Sequence, residues 1–383
     1  MNQINNYLKE QFPEMINLTK ELINIDSQSD DVPGVQKVAD VLNQKMSELG
    51  MATRQIDQGK PGTVLIGELA GDPGLKPVIL LGHMDTVFPR GTVEKHPFKI
   101  EGDKMMGPGI FDMKSGLVIG LFAIQALVKL KLTKRPIKMI VVSDEEKLHM
   151  HSRAYDIIAE ESQGGAYGLN LEGSKEDPHH VGTHNRGGMI VDVTVHGRAA
   201  HSGAEPEKGR SAIVELAHQI IKFNQLIDLD AGVHVNSGIV HGGVSENIIP
   251  DEATTSLGVR FKTNQQRDEL LTQIKEIAAK PTISGTTTTV KVRTKIDSME
   301  ETADVQELFG QLDQVAQEAG YGKLKAVGGG GASDAGIMVA RGVPTIDAMG
   351  VVGSGAHSEQ EHASAESLLN RATLIANFIT RKG

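Results

Sequence analysis

The sequence has no cysteine and no tryptophan, and aromatic residues make up only 3% of its 383 positions. Without thiols there is no disulfide, no thiolate metal ligand and no cysteine nucleophile, so any metal must be held by His, Asp and Glu. With so few rings, stacking platforms for nucleobases are not expected. No apolar run approaches the roughly 18 residues that a membrane span needs. The first residues, Met1-Asn2-Gln3-Ile4-Asn5-Asn6, lack the basic stretch and apolar core of a signal peptide, so a cytoplasmic location is expected. Positive charge is also in deficit: 39 Lys and Arg stand against 49 Asp and Glu, for a net charge of -10. That balance argues against nucleic acid or an anionic membrane as partner. The 43 glycines follow no short period, which excludes a collagen-like repeat. What remains, 39% hydrophobic and 23% charged residues, is ordinary for a globular protein.

At about 150 residues per domain, the length predicts two or three domains. Residues 5–24 and 34–49 carry apolar positions at helical spacing, the second closing at Gly50. Strands are expected at 63–69, 77–82, 136–143 and 166–172, with helices at 115–131 and about 152–162 between them. This alternation predicts an α/β fold with a mostly parallel sheet. The pattern then changes. Val191, Val193 and Val195 alternate with Asp192, Thr194 and His196, the signature of a half-exposed antiparallel strand. Helices at 210–226 and 264–279 and strands near 233–241, 252–262 and 286–294 complete a βαββαβ order, which is ferredoxin-like. Afterwards α/β signals resume, with helices at 303–319, 333–341 and 364–381 and a strand at 343–348. The expected organisation is an α/β domain of residues 1–186 plus 297–383, into which an α+β domain of residues 187–296 is inserted.

Residues with metal-binding chemistry cluster where buried strands end. His83-Met84-Asp85 follows the strand ending at Gly82, Asp144-Glu145-Glu146 follows the strand ending at Ser143, and Glu172 ends the strand 166–172. Ligands of open α/β sheets bind outside the carboxyl ends of the strands, so these groups are expected on one rim. Asp112 sits in a glycine-rich loop before a helix, and His357 in the loop Gly353-Ser354-Gly355-Ala356-His357. So many carboxylates on a poorly solvated rim call for cations. A sulfur-free His and carboxylate set suits Zn²⁺, Mn²⁺ or Co²⁺. A metal pair about 3.5–4 Å apart can hold a bridging water and polarise a carbonyl. Taken singly, each cluster also reads as a solvated loop or a helix start that favours negative charge. The glycine run Gly328-Gly329-Gly330-Gly331-Ala332-Ser333-Asp334 lacks the Gly-Lys-Ser/Thr ending of a phosphate loop, so a nucleotide is not expected.

Together the motifs resemble the M20 metallopeptidases, above all the glutamate carboxypeptidase type, beside acetylornithine deacetylase and succinyl-diaminopimelate desuccinylase. The resemblance rests on His83-Met84-Asp85-Thr86-Val87, Gly107-Pro108-Gly109-Ile110-Phe111-Asp112-Met113-Lys114-Ser115-Gly116, Asp144-Glu145-Glu146 and Ala356-His357-Ser358. It continues in the inserted domain through Gly197-Arg198-Ala199-Ala200-His201-Ser202-Gly203 and Glu246-Asn247-Ile248-Ile249-Pro250, and runs from about residue 10 to the C-terminus.

The resemblance implies two divalent metal ions, Zn²⁺ first, with Co²⁺ or Mn²⁺ as alternatives. His83, Asp112 and Glu172 would hold one, and Asp112, Glu146 and His357 the other, with Asp112 bridging ahead of a cis bond to Met113. Asp85 would orient His83. Glu145 would be the general base. Glu172, where other members carry Asp, favours a carboxypeptidase or deacylase. The inserted domain would be a lid and homodimerisation surface, hinged near Asn185–Gly188 and Lys295–Ser298. His201 would stabilise an oxyanion in its own or the partner subunit's site. Asn247 would bind substrate, and Arg260 would anchor a substrate carboxylate. The glycine-rich turn could bind a carboxylate at the helix start that follows it.

In one place the chain departs from the family pattern. Leu148-His149-Met150-His151-Ser152 follows Lys147 where many relatives carry Gly-Ser, and its two histidines are expected to be local loop or helix-start residues. The reading is a hydrolase that cuts an amide bond next to a free carboxylate, in a small peptide or an N-acyl amino acid. The alternatives are a di- or tripeptide aminopeptidase and a non-catalytic binding protein with a relict site.

Overall fold

Helical spacing of apolar residues buries Ile4, Leu8, Met15, Leu18 and Leu22 along one face of α1 (Asn2–Ile23). It does the same for Val35, Val38, Ala39, Leu42 and Met46 in α2 (Val32–Glu48). The structure, a computed structural model, describes residues 2–175 and 177–382. Of the expected domain segments, Met1, Glu176 and Gly383 lie outside the described residues. Strands β1 (Ala52–Asp57), β2 (Thr63–Leu69) and β3 (Val78–His83) follow. All of β3 is buried, as expected of a strand covered on both faces. Next come α3 (Lys114–Lys129), β4 (Ile137–Val142), α4 (Ala154–Ser162) and β5 (Tyr167–Asn170). Helix α3 is apolar almost all round and correspondingly buried. It starts close to the chain that leaves β5: a Cβ on Gly116 would stand 1.9 Å from the Leu171 carbonyl oxygen.

The chain then builds β6 (Gly187–His196), α5 (Ala212–Asn224), β7 (His234–Gly242), β8 (Glu252–Phe261), α6 (Asn264–Ala279) and β9 (Thr287–Ile296). Their sheet order is β7-β8-β6-β9, with every neighbouring pair antiparallel. That is the ferredoxin-like arrangement. Met189, Val191 and Val193 pack with Phe223, Leu257, Val259, Phe261, Leu270 and Ile274, each such side chain contributing about 1.5–3 kcal/mol by burial. Helix α6 opens with a reciprocal cap between Thr263 and Gln266.

The chain returns with α7 (Ala303–Glu318), β10 (Thr345–Ile346) and α8 (Ala365–Lys382). The first sheet has the order β1-β2-β4-β3-β5-β10. β4, β3, β5 and β10 run parallel to one another, and β1 and β2 join antiparallel at one edge. Two compact units result, residues 1–184, 301–329 and 337–383, and residues 185–300 with 330–336. Strand β5 stops at Asn170, so Glu172 lies just past the strand it was expected to end. A second sheet in the first unit joins Lys99–Glu101, Lys104–Met106, His362–Ser364, Val352–Ser354 and Ser174–Lys175. Its strands are too short to show a sequence period. Among the described residues, no helix is long and apolar enough to cross a membrane.

Candidate metal centre

The parallel register sets His83 opposite Val142 at the ends of β3 and β4, and Met84 N–H donates to the Val142 carbonyl at 2.9 Å. The segment 143–146 therefore emerges beside His83. On the other flank β5 pairs Asn170 with Leu81, which brings Glu172 in. His83 Nε2 lies 3.1 Å from Asp112 Oδ1 and 3.4 Å from Glu172 Oε1. His357 Nε2 lies 3.2 Å from Asp112 Oδ2 and 3.1 Å from Glu146 Oε2. Two groups of potential ligands result, His83, Asp112 and Glu172 beside Asp112, Glu146 and His357. They share Asp112. The Asp112–Met113 peptide bond is cis.

Asp85 is buried behind His83 and faces its Nδ1 with two oxygens. The nearest oxygen to His83 Nδ1 is the Asp85 main-chain carbonyl, at 3.0 Å; the carboxylate Oδ1 stands at 3.3 Å. A carbonyl only accepts, so Nδ1 carries the proton and Nε2 faces the carboxylates. The Asp85 carboxylate accepts from Ser29 Oγ at 2.6 Å and from the N–H groups of Glu145 and Glu146 at 3.2 and 3.3 Å. It thus fixes the short turn Glu145–Lys147 that carries both acids.

The electrostatics fit a site for cations. Burial pushes Glu146 up to about 8, with repulsion from Asp112 and Asp85 adding to it against the pull of His83. Burial and the Asp112 charge push Glu172 up to about 7. Burial also works on Asp112, but hydrogen bonds from His357 and His83 hold it well below the usual carboxylate range. His357 is raised to about 9, chiefly by its hydrogen bond to Asp112. Burial opposes charge on His83, yet hydrogen bonds to Asp112, Asp85 and Glu172 carry its pKa well above the ordinary imidazole value. Glu146 Oε1 is buried with no hydrogen-bond partner. Imidazole nitrogens, crowded carboxylates and an orphaned carboxylate oxygen form a donor set suited to divalent ions.

Two buried residues escaped the sequence reading. Glu361 accepts from the N–H groups of Gly109, Phe111 and Asp112 at 2.9, 2.8 and 2.9 Å, and burial pushes it up to about 7. Ser29 supports Asp85, as noted. Neither belongs to a recognisable spacing, because each depends on a contact between distant loops. Lys114, inside a quoted motif, is fully buried, and its Nζ donates to the carbonyls of Leu22 and Ile25 at 3.1 and 2.7 Å. In the departing segment His149 is buried, with Nδ1 3.2 Å from Asp144 Oδ1, which also accepts from Ser152 Oγ at 2.9 Å. His151 lines a cavity of about 140 Å³ with Ser29, Asp30, Lys60, Pro61, Asp144 and Lys147.

The other three site candidates lie in the second unit. His201 is exposed on the two-residue strand Ala200–His201, which pairs with Ile248–Ile249. Its Nδ1 accepts from the N–H groups of Gly203 and Ala204 at 3.2 and 3.1 Å. Asn247 is adjacent: its carbonyl accepts from Ser202 N–H at 3.0 Å, and Ser245 Oγ donates to its Oδ1 at 2.6 Å. Arg260 sits near the far end of β8, opposite Gly188 and His234. Its guanidinium lies across Gly188, where a Cβ would come within 2.1 Å of Nη1. His201 and Asn247 attach at the start of β8, about 27 Å along the strand from Arg260 at about 3.4 Å per residue. Within one copy of this unit, His201 and Arg260 are therefore far apart.

Residues 79–381 match the description Peptidase family M20/M25/M40. Carboxypeptidase G2 of Pseudomonas sp. (strain RS-16) is 29% identical over 377 residues, which cover 97% of this chain and 90% of that protein. Among solved structures, aminopeptidase PepT from Bacillus cereus superposes with a TM-score of 0.77 at 23% identity, covering 96% of this chain and 98% of that one. The YXEP protein of Bacillus subtilis, described as a dinuclear metal-binding peptidase of the M20 family, gives a TM-score of 0.68 at 16% identity, covering 98% and 99%. On its sequence and its fold alike, the chain is an enzyme of peptidase family M20/M25/M40.

Proposed function

We propose that this chain is a dinuclear-metal hydrolase that cleaves an amide bond next to a free carboxylate, in a small peptide or an N-acyl amino acid. The observation that carries this reading is the pair of ligand groups joined by Asp112. His83, Asp112 and Glu172 would hold one ion, and Asp112, Glu146 and His357 the other, with Zn²⁺ favoured and Co²⁺ or Mn²⁺ able to substitute. When bound, the ions would polarise the scissile carbonyl and make water acidic enough to deprotonate near neutral pH.

The chain supplies the rest. Glu145, on the turn held by Asp85, takes the proton from the attacking water and returns it to the leaving nitrogen. Arg260 pairs with the free carboxylate of the substrate through two parallel hydrogen bonds, while Asn247 holds the substrate backbone. His201 donates to the developing oxyanion. Because His201 and Arg260 stand far apart in one copy, His201 serves the partner subunit's site in a homodimer. The second unit is then both lid and dimerisation surface, with residues near 185–188 and 295–298 as hinges. Its edge strand β7 supports this: Ile239 and Val240 on β7, Ile213 and Ile221 on α5, and Val244 and Ile248 are all exposed. A carboxypeptidase at 29% identity over nearly the whole chain and Glu172 at the third carboxylate position favour cleavage on the carboxyl side.

The fold likeness to an aminopeptidase supports a second reading, a di- or tripeptide aminopeptidase. A screen of N-acyl amino acids against unblocked dipeptides, run with Zn²⁺, Co²⁺ and Mn²⁺, separates the two. Turnover of amine-blocked substrates supports the first reading. Cleavage that requires a free amine supports the second, and no hydrolysis with any metal contradicts both.

A further inference from the structure

Glu361 lies near the candidate ligands without belonging to either group, and only 2% of it is exposed. Both of its oxygens are used: Oε2 accepts from Gly109 N–H, and Oε1 accepts from Phe111 and Asp112 N–H. Both oxygens act as acceptors here, whereas the amide of a glutamine would turn a donor toward one of these N–H groups. A buried carboxyl group is costly unless it is hydrogen-bonded, and here three N–H donors offset that cost.

The position of Glu361 in the chain gives these contacts a consequence. Val352–Ser354 and His362–Ser364 form a hairpin with Gly353 opposite Ala363 and Ser354 opposite His362. Its tip is closed by Ser358 N–H to the Gly355 carbonyl and Glu361 N–H to the Ser358 carbonyl, each at 3.1 Å. His357, with φ +64°, projects from this tip. One hairpin thus carries a candidate ligand, His357, and the carboxylate that grips the main chain of another, Asp112.

We propose that Glu361 is a positioning residue: it clamps the 107–112 loop to the His357 hairpin and so sets the spacing between Asp112 and His357 on which the shared ligand geometry depends. The proposal rests on the dinuclear reading above. Metal sites tolerate only about 0.2 Å of error in ligand distance. Losing a partner that orients a ligand typically weakens metal affinity about 10–100-fold.

The test uses the full-length chain, stripped with EDTA and titrated with Zn²⁺ against a competing chelator, and separately with Co²⁺ followed by its visible absorption. Wild type, Glu361→Gln and Glu361→Asp are compared, and the thermal midpoint of each EDTA-treated protein is measured. Wild type is expected to take up two ions. Glu361→Gln should keep a midpoint within a few degrees of wild type, yet bind at least one ion about 10–100-fold more weakly with an altered Co²⁺ spectrum. Glu361→Asp, which keeps both carboxyl acceptors on a shorter side chain, should recover part of the affinity. If Glu361→Gln does not fold, Glu361→Asp alone decides by the same affinity and spectrum. Wild-type affinity and spectrum in the folded variants overturn the proposal, as does a lowered midpoint with unchanged affinity or a failure of both variants to fold, since either marks a purely structural role. A wild type that binds fewer than two ions instead removes the dinuclear reading itself.

Discussion

Asp112 Oδ2 stands 3.2 Å from His357 Nε2, while the other oxygen of the same carboxylate faces His83 Nε2 at 3.1 Å. A side chain that serves both ligand groups should be the least replaceable. Asp112→Asn keeps the size but gives up one acceptor oxygen and the charge. Metal content after dialysis should fall below two ions per chain, and kcat/KM should fall by at least about 10²-fold. Two retained ions with near-normal turnover would contradict the sharing of Asp112.

Glu145→Gln separates proton transfer from metal binding. The turn's contacts with Asp85 run through main-chain N–H groups, so the variant should keep its metal. It should lose at least about 10²-fold in kcat, the low end for removal of a general base. Steady-state kinetics with metal analysis of the same sample checks this, and near-normal turnover rejects the assignment.

Gly116→Ala tests the packing beneath the site. The added Cβ would meet the Leu171 carbonyl oxygen at 1.9 Å, and backbone cannot rotate away as a side chain can. Either α3 or the segment leading to Glu172 must move. Overpacking of this kind costs about 1–3 kcal/mol, and the displaced segment carries a candidate ligand, so the urea midpoint and the metal content should fall together. A wild-type midpoint would show that this contact relaxes without cost.

The dimer reading makes its own prediction. Ile239 and Val240 lie exposed on the edge strand β7, where lysines would block strand pairing by charge repulsion. Sedimentation velocity should show a dimer for wild type and a monomer for the double variant Ile239→Lys, Val240→Lys. A monomeric wild type removes the role given to His201 in the partner subunit's site.

Much of this molecule was legible in the sequence, for local reasons. The alternation of Val191, Val193 and Val195 marked β6, and the predicted helix 264–279 coincides with α6. Both signals arise within one element. His83, Glu146 and Glu172 were placed on one rim because they follow strands, and the parallel register of β3, β4 and β5 brings them there. What escaped depends on distant loops. Glu361 resembles any surface glutamate until the 355–361 hairpin meets the 107–112 loop. The strands of the second sheet are two or three residues long, too short for a period. The helix expected at 333–341 shrinks to Ala335–Val339, and the first part of the glycine run is the end of the strand Lys325–Gly329. Asp85 is expected to orient His83, and both its main-chain carbonyl at 3.0 Å and its carboxylate at 3.3 Å face Nδ1, a division between two acceptors that residue type does not encode.

The most direct measurement is anomalous diffraction at the zinc edge from crystals grown with Zn²⁺. The account predicts two peaks about 3.5–4 Å apart on either side of Asp112, one in contact with His83 and Glu172 and the other with Glu146 and His357. A single peak that bypasses Asp112, or zinc bound only elsewhere on the protein, would contradict it.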